Sequence, residues 1–179
     1  GGLNALNADC LRALCAVIAA WNARPPRPWR LRLRVLTYSA PEQWLTGLGN
    51  SADVVIVRNA SASEITRACQ TCWAVLLPYT FEPAWRTLVA TAFPTKFGEA
   101  MTSGRPVLAF GPAYASVPRY FRQHELPVCA TRPDGLPAAL EALEAADTPE
   151  VIARYRAVLK RHHAPDRIRT LLESPEHAS

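Results

Sequence analysis

Short, continuous apolar runs alternate along this chain with segments whose apolar residues recur at helical spacing, and that alternation sets the fold class. Asp53-Val54-Val55-Ile56-Val57 and Trp73-Ala74-Val75-Leu76-Leu77-Pro78 are too short for helices and apolar almost throughout. A strand covered on both faces needs such a run, whereas a half-exposed strand alternates apolar with polar. Val107-Leu108-Ala109-Phe110 is a third run, and Leu31, Leu33, Val35 and Tyr38 punctuate a fourth near residues 30–37. Leu126-Pro127-Val128-Cys129-Ala130 is a brief last one, which Pro127 confines to a sheet edge. Helices are predicted between and after them, at 7–22, 41–48, 61–71, 94–103, 115–123, 134–146, 149–163 and 165–172. Leu11, Leu14, Cys15, Ile18 and Ala19 form the apolar stripe of the first, with Asn7 as its cap; Pro41 suits a first helical turn, and Ser61 with Glu64 matches a capping box. Tyr79 to Ala92 reads as a loop rich in aromatics.

Strands that alternate with helices need crossover connections, hence a parallel sheet with helices on both faces. The predicted architecture is α/β: a doubly wound, mostly parallel, Rossmann-like sheet, with further helices at the C-terminal end. Sheets of this kind bind ligands beyond the carboxyl ends of their strands. The loops that matter are therefore Thr37–Pro41, Arg58–Ser61, Tyr79–Ala92 and Gly111–Ser116.

At 179 residues the chain fits one domain or one lobe of a larger enzyme. No apolar run reaches the roughly 20 residues that span a bilayer. Five cysteines at irregular spacing do not make a disulfide framework, which fits a reducing, cytoplasmic compartment. Cys69-Gln70-Thr71-Cys72 has the spacing of a redox or zinc half-site, but no second pair completes it. The formal charge of +5 comes mostly from arginine, clustered at Arg24, Arg27, Arg30, Arg32 and Arg34 and again from Arg154 to Arg169. Such clusters suit a solvated basic surface, a polyphosphate ligand, or anionic lipid headgroups at the inner face of a membrane. Nucleic acid is not the expected partner, because no reader motif interleaves the basic residues with exposed aromatics.

The richest chemistry lies in Phe93-Pro94-Thr95-Lys96-Phe97-Gly98-Glu99-Ala100-Met101 and the step Gly104-Arg105-Pro106-Val107 that follows. Three-residue spacing puts Lys96 and Glu99 on one helical face, one turn apart. A cation near a helix start suits phosphate, and a carboxylate one turn deeper accepts both hydrogen bonds of a vicinal diol. Phosphate beside ribose is half a nucleotide. Gly98 costs about 1 kcal/mol against alanine inside a helix, so it serves close packing on Phe93 or close approach of a base or ribose. Tyr79, Phe81 and Trp85 are placed either to pack beneath their loop or to stack a base or sugar.

These motifs resemble the C-terminal, donor-binding lobe of GT-B fold glycosyltransferases, in the large retaining family that includes many bacterial polysaccharide and lipid glycosyltransferases. The likeness rests on Gly1-Gly2-Leu3-Asn4, on Phe93–Met101, on Gly104–Val107 and on Pro133-Asp134-Gly135-Leu136. It implies that Glu99 holds the donor's ribose hydroxyls and that Lys96 lies near its pyrophosphate. Thr95, Gly2 and Asn4 complete the expected site, with Arg58 and Arg86 as possible suppliers of positive charge to the pyrophosphate. The family's earlier, sugar-contacting glutamate would fall at Thr91; Glu82 is the candidate stand-in. The resemblance implies a nucleoside diphosphate sugar as donor, no cofactor and no metal, and the chain has no Asp-x-Asp pair. It leaves the catalytic residues unassigned.

The resemblance also implies a division into a nucleotide-sugar-binding lobe at 1–146 and C-terminal helices at 147–179. A glycine pair that opens a helix normally follows a strand, so a strand, with an N-terminal lobe ahead of it, is expected upstream of Gly1. Alone, the lobe would then be catalytically silent. Two other functions stand beside transfer: a sugar-nucleotide epimerase of the same fold, and a non-catalytic Rossmann-like binding module.

Overall fold

The computed structural model describes residues 4–24, 29–37, 42–45, 48 and 52–163. Their elements run α1 (Ala8–Asn22), β1 (Leu33–Thr37), α2 (Glu42–Leu45), β2 (Val54–Arg58), α3 (Ala62–Thr71) and β3 (Val75–Pro78). A 3₁₀ turn (Pro83–Trp85) then leads into α4 (Arg86–Thr91), followed by α5 (Phe97–Thr102), β4 (Val107–Phe110), α6 (Ser116–Gln123) and β5 (Cys129–Ala130). A second 3₁₀ turn (Pro133–Gly135) opens α7 (Leu136–Ala146), and α8 (Pro149–His163) follows. The predicted helix at 165–172 and Gly2 lie outside the described residues.

The fold is α/β, and every strand pair is parallel: β1 with β2, β3 with β4, and β4 with β5. The strands form two small sheets, however, ordered β1-β2 and β3-β4-β5, rather than the single predicted sheet. Among the described residues no strand joins β1 to β3, so each keeps one edge unpaired.

β4 explains why the second sheet holds together. All four of its residues are buried, and they divide between two cores. Leu108 and Phe110 pack with α1 and α7, while Val107 and Ala109 pack with α5 and α6. That is the two-period of a strand sandwiched between helix layers. Burying a side chain such as Phe110 contributes about 1.5–3 kcal/mol. Tyr155 on α8 extends the second core; its hydroxyl donates to the Val107 carbonyl and accepts from the Val107 N–H, both at 3.4 Å. α8 thus packs directly against β4 and the second core.

Local chemistry accounts for most element ends. Ser61 accepts from the Glu64 N–H while the Glu64 carboxylate accepts from the Ser61 N–H, closing the predicted capping box of α3. Gly104, at φ 79°, lets the chain turn from α5 into β4. Gly111 ends β4 where β3 passes close by: a Cβ there would lie 2.6 Å from that of Tyr79.

Four local expectations need correction. Asn7 takes the N-cap position of α1, but its side chain makes no capping bond to the helix; its Oδ1 accepts instead from the Asn4 N–H at 3.1 Å, tightening the turn before the helix. α5 starts at Phe97, not residue 94, because Pro94 to Lys96 form a turn closed by the Phe97 N–H on the Pro94 carbonyl. The aromatic segment contains α4, whose six residues bury only Val89 and so carry little periodic signal. β5 shrinks to two residues because proline at 127 cannot supply a ladder N–H.

Candidate functional site

Between the two sheets lies a cleft of about 1560 Å³, walled by residues 30–36 on the β1 side and residues 71–79 on the β3 side. Lys96 and Glu99 stand in its wall, joined by an ion pair of 2.8 Å from Nζ to Oε1. Their side chains are 40% and 44% exposed, so both are reachable from solvent. An exposed pair one turn apart contributes only about 0.3–0.5 kcal/mol, and an anionic ligand can draw the lysine away at little cost.

α5 holds this pair in place through its opposite face. Phe97, Ala100 and Met101 are buried in the second core, and Phe97 meets Phe93 and Tyr120 edge to face at 5.0 and 5.1 Å. Lys96 occupies the cap position and Glu99 the first turn, where a carboxylate complements the helix dipole. Nothing lies within 4 Å of a Cβ built on Gly98, so packing on Phe93 does not require glycine there. Space for an approaching group remains open at that position.

Thr95 and Asn4 line the same cleft, so four of the expected site residues share one cavity: Asn4, Thr95, Lys96 and Glu99. Asn4 arrives there because the start of α1 docks on the chain leaving β3. The Thr80 N–H donates to the Leu6 carbonyl at 2.8 Å, and the Phe81 N–H donates to Asp9 at 2.9 Å. Asn7 and Cys69 also line the cleft. Asn7 carries no motif that marks it as part of a ligand site, and Cys69 is marked only by its spacing from Cys72; the folded arrangement brings both in.

The remaining candidates stand elsewhere. Arg58 closes β2 and is not among the residues that line the cleft. Arg86 begins α4, where its guanidinium stacks on Tyr114 at 4.2 Å. Thr91 ends α4 with its hydroxyl turned back to the Thr87 carbonyl at 3.0 Å, and Glu82 lies beside the Pro83 turn outside the cleft lining. Of the aromatics, Tyr79 is buried and donates to the Ala92 carbonyl at 2.8 Å; burial pushes its phenol up to about 12. Phe81 packs on Phe110 at 5.3 Å, while Trp85 stays exposed.

The cysteine pair behaves as structure. Burial pushes both the Cys69 and Cys72 thiols up, the reverse of what a redox thiolate needs, and the Cys72 thiol donates to the Cys69 carbonyl. α3 and α5 pack side by side along the cleft, and the Glu99 carboxylate adds to the upward shift of Cys69. Several arginines from the basic clusters are committed to acidic partners: Arg24 to Glu141, Arg30 to Asp53 and Arg154 to Glu125. No helix among the described residues is long and apolar enough to cross a membrane.

Comparison with known proteins adds no likeness to this geometry: no protein-family model matches the chain, and no curated protein matches it.

Proposed function

We propose that this chain is the donor-binding lobe of a glycosyltransferase that uses a nucleoside diphosphate sugar. The observation that carries the reading is the Lys96–Glu99 pair, solvent-reachable, one turn apart, and facing an inter-sheet cleft shared with Asn4 and Thr95. In this reading Glu99 accepts both ribose hydroxyls, and Lys96 swings from Glu99 to the pyrophosphate. As the glycosidic bond breaks, negative charge grows on the departing diphosphate, and a fixed ammonium in a partly desolvated cleft stabilises it. The acceptor and any catalytic base come from a further lobe.

Titration calorimetry with UDP, GDP and ADP against the chain and its Glu99→Gln variant tests this. A charge-assisted hydrogen-bond pair is worth about 2 kcal/mol, so the variant should bind roughly 30-fold more weakly. Binding of none of the three, or binding indifferent to the substitution, would remove the assignment. Product analysis on a protein carrying both lobes then separates glycosyl transfer from epimerisation.

A further inference from the structure

We infer that the body of the cleft is a slot for one further β-strand, parallel to β1 and β3, supplied by polypeptide that runs into the amino side of α1. The inference is independent of the nucleotide reading, since it rests on backbone edges rather than on Lys96 and Glu99.

Backbone direction comes first. The Leu33 N–H donates to the Asp53 carbonyl at 2.8 Å, so Leu33, and by alternation Val35, turn their backbone groups toward β2. Arg34 and Leu36 then turn theirs into the cleft. On the other wall the Val75 N–H donates to the Pro106 carbonyl at 2.9 Å and the Tyr79 N–H to the Phe110 carbonyl at 2.7 Å. Val75 and Leu77 therefore face β4, and Leu76 faces the cleft. Trp29, just ahead of β1, and Trp73, just ahead of β3, meet at 5.8 Å between ring centres, so both strands begin on one side and their open edges share one polarity across the cavity. An open strand edge presents a row of unpaired N–H and C=O groups, a template on which a further strand can pair.

The slot also has a floor and a roof. Leu14 and Ile18 of α1 with Leu140 and Leu143 of α7 line one side, and Ala68 of α3 with Ala100 of α5 lines the other. An occupant is covered on both faces, and so must be apolar along its length. A small molecule does not satisfy two rows of alternating donors and acceptors; an extended strand of about five residues does.

Polarity selects the source. Leu6, at the start of α1, is bonded to Thr80 just beyond the carboxyl end of β3, and Asn4 lines the cleft nearby. A strand parallel to β3 ends on that side, so it hands directly into the turn before α1. α1 then carries the chain back to the start of β1, the ordinary strand–helix–strand crossover. With the slot filled, the order becomes β2-β1-strand-β3-β4-β5, one continuous sheet.

Amide hydrogen exchange by NMR tests this on the 179-residue chain and three versions extended ahead of Gly1. One extension is seven alternating valine and isoleucine residues, one is the same with its central residue replaced by proline, and one is seven residues of glycine and serine. The valine–isoleucine extension should slow exchange at Arg34, Leu36 and Leu76 at least about tenfold, and leave Leu33 and Val75, already bonded, much as they were. The proline and glycine–serine versions should do neither, since proline removes the ladder donor and glycine has no side chain to bury. Equal protection by all three extensions, protection that builds instead on the outer edges of β2 or β5, or slow exchange at Arg34, Leu36 and Leu76 in the unextended chain would overturn the inference. So would protection in the unextended chain that rises with protein concentration, which would seat a second copy's strand in the slot.

Discussion

β4 and β2 carry the same kind of sequence run and end in different surroundings. Val107-Leu108-Ala109-Phe110 is buried at every position and divided between two helix-covered cores. Val54-Val55-Ile56-Val57 is nowhere fully buried, and Val55 is 36% exposed. The difference arises in the neighbours: β4 has a strand on either side and helices on both faces, while β2 has one partner, β1, which itself faces the open cleft. An apolar run states that a strand is fit for burial. Whether it is buried depends on the completeness of the sheet around it.

The sharpest way to break that comparison is to truncate both strands. Phe110→Ala should cost about 3–5 kcal/mol, while Val55→Thr should stay within about 0.5 kcal/mol; chemical denaturation reads both. Equal costs would mean that the two sheets are buried alike. Next in size is Gly111→Ala. The added methyl meets Tyr79 at 2.6 Å, mostly against backbone, and should cost about 1–3 kcal/mol. Gly98→Ala is its opposite: nothing crowds that position, so the substitution should stabilise the helix by about 0.5–1 kcal/mol. A loss of stability there would mean that the position is crowded after all.

A pH effect separates α8 from the rest of the second sheet's surroundings. His163 packs against Phe93, Phe97 and Tyr120, and His124 lies 4.3 Å from both Tyr120 and His162, ring centre to ring centre. Burial holds both His124 and His163 below the usual imidazole range, helped by the charge of His162 on both and of His163 and Arg161 on His124. The Arg154 guanidinium donates to the His124 carbonyl from α8 and adds no anion to offset them. The folded protein therefore prefers neutral rings, and the unfolded chain takes up protons first. Stability should be whole above about pH 6.5 and decline as pH falls below it toward the lowered folded values. Thermal melts at pH 7.5 and pH 5.5 check the sign, and His124→Gln should flatten the dependence.

Much of this was legible in the chain. The alternation of runs predicts the order of strands and helices, their parallel pairing and the Ser61–Glu64 capping box, because each of these is local or follows from crossover connectivity. The helix at 149–163 was legible from its periodicity. α4 was not, since six residues with one buried side chain fall below the length at which periodicity speaks. The split sheet was not legible either: pairing between β1 and β3 depends on what lies between them, which no spacing encodes. The site was legible in part. Lys96, Glu99, Thr95 and Asn4 meet in one cleft, whereas Arg58 and Arg86, marked only by their charge, lie outside its lining. Charge alone carries no direction, and only the three-residue spacing of Lys96 and Glu99 fixed a shared face.

The cleft between the sheets is where the two regions meet, and amide shift mapping during a nucleoside diphosphate titration tests its role most directly. Saturable shifts are expected, confined to the residues around Asn4–Asn7 and Lys96–Ala100 and lost in Glu99→Gln. Shifts that gather at Arg58 or Arg86 while Lys96–Ala100 stays silent, or no shifts at all, would contradict that role.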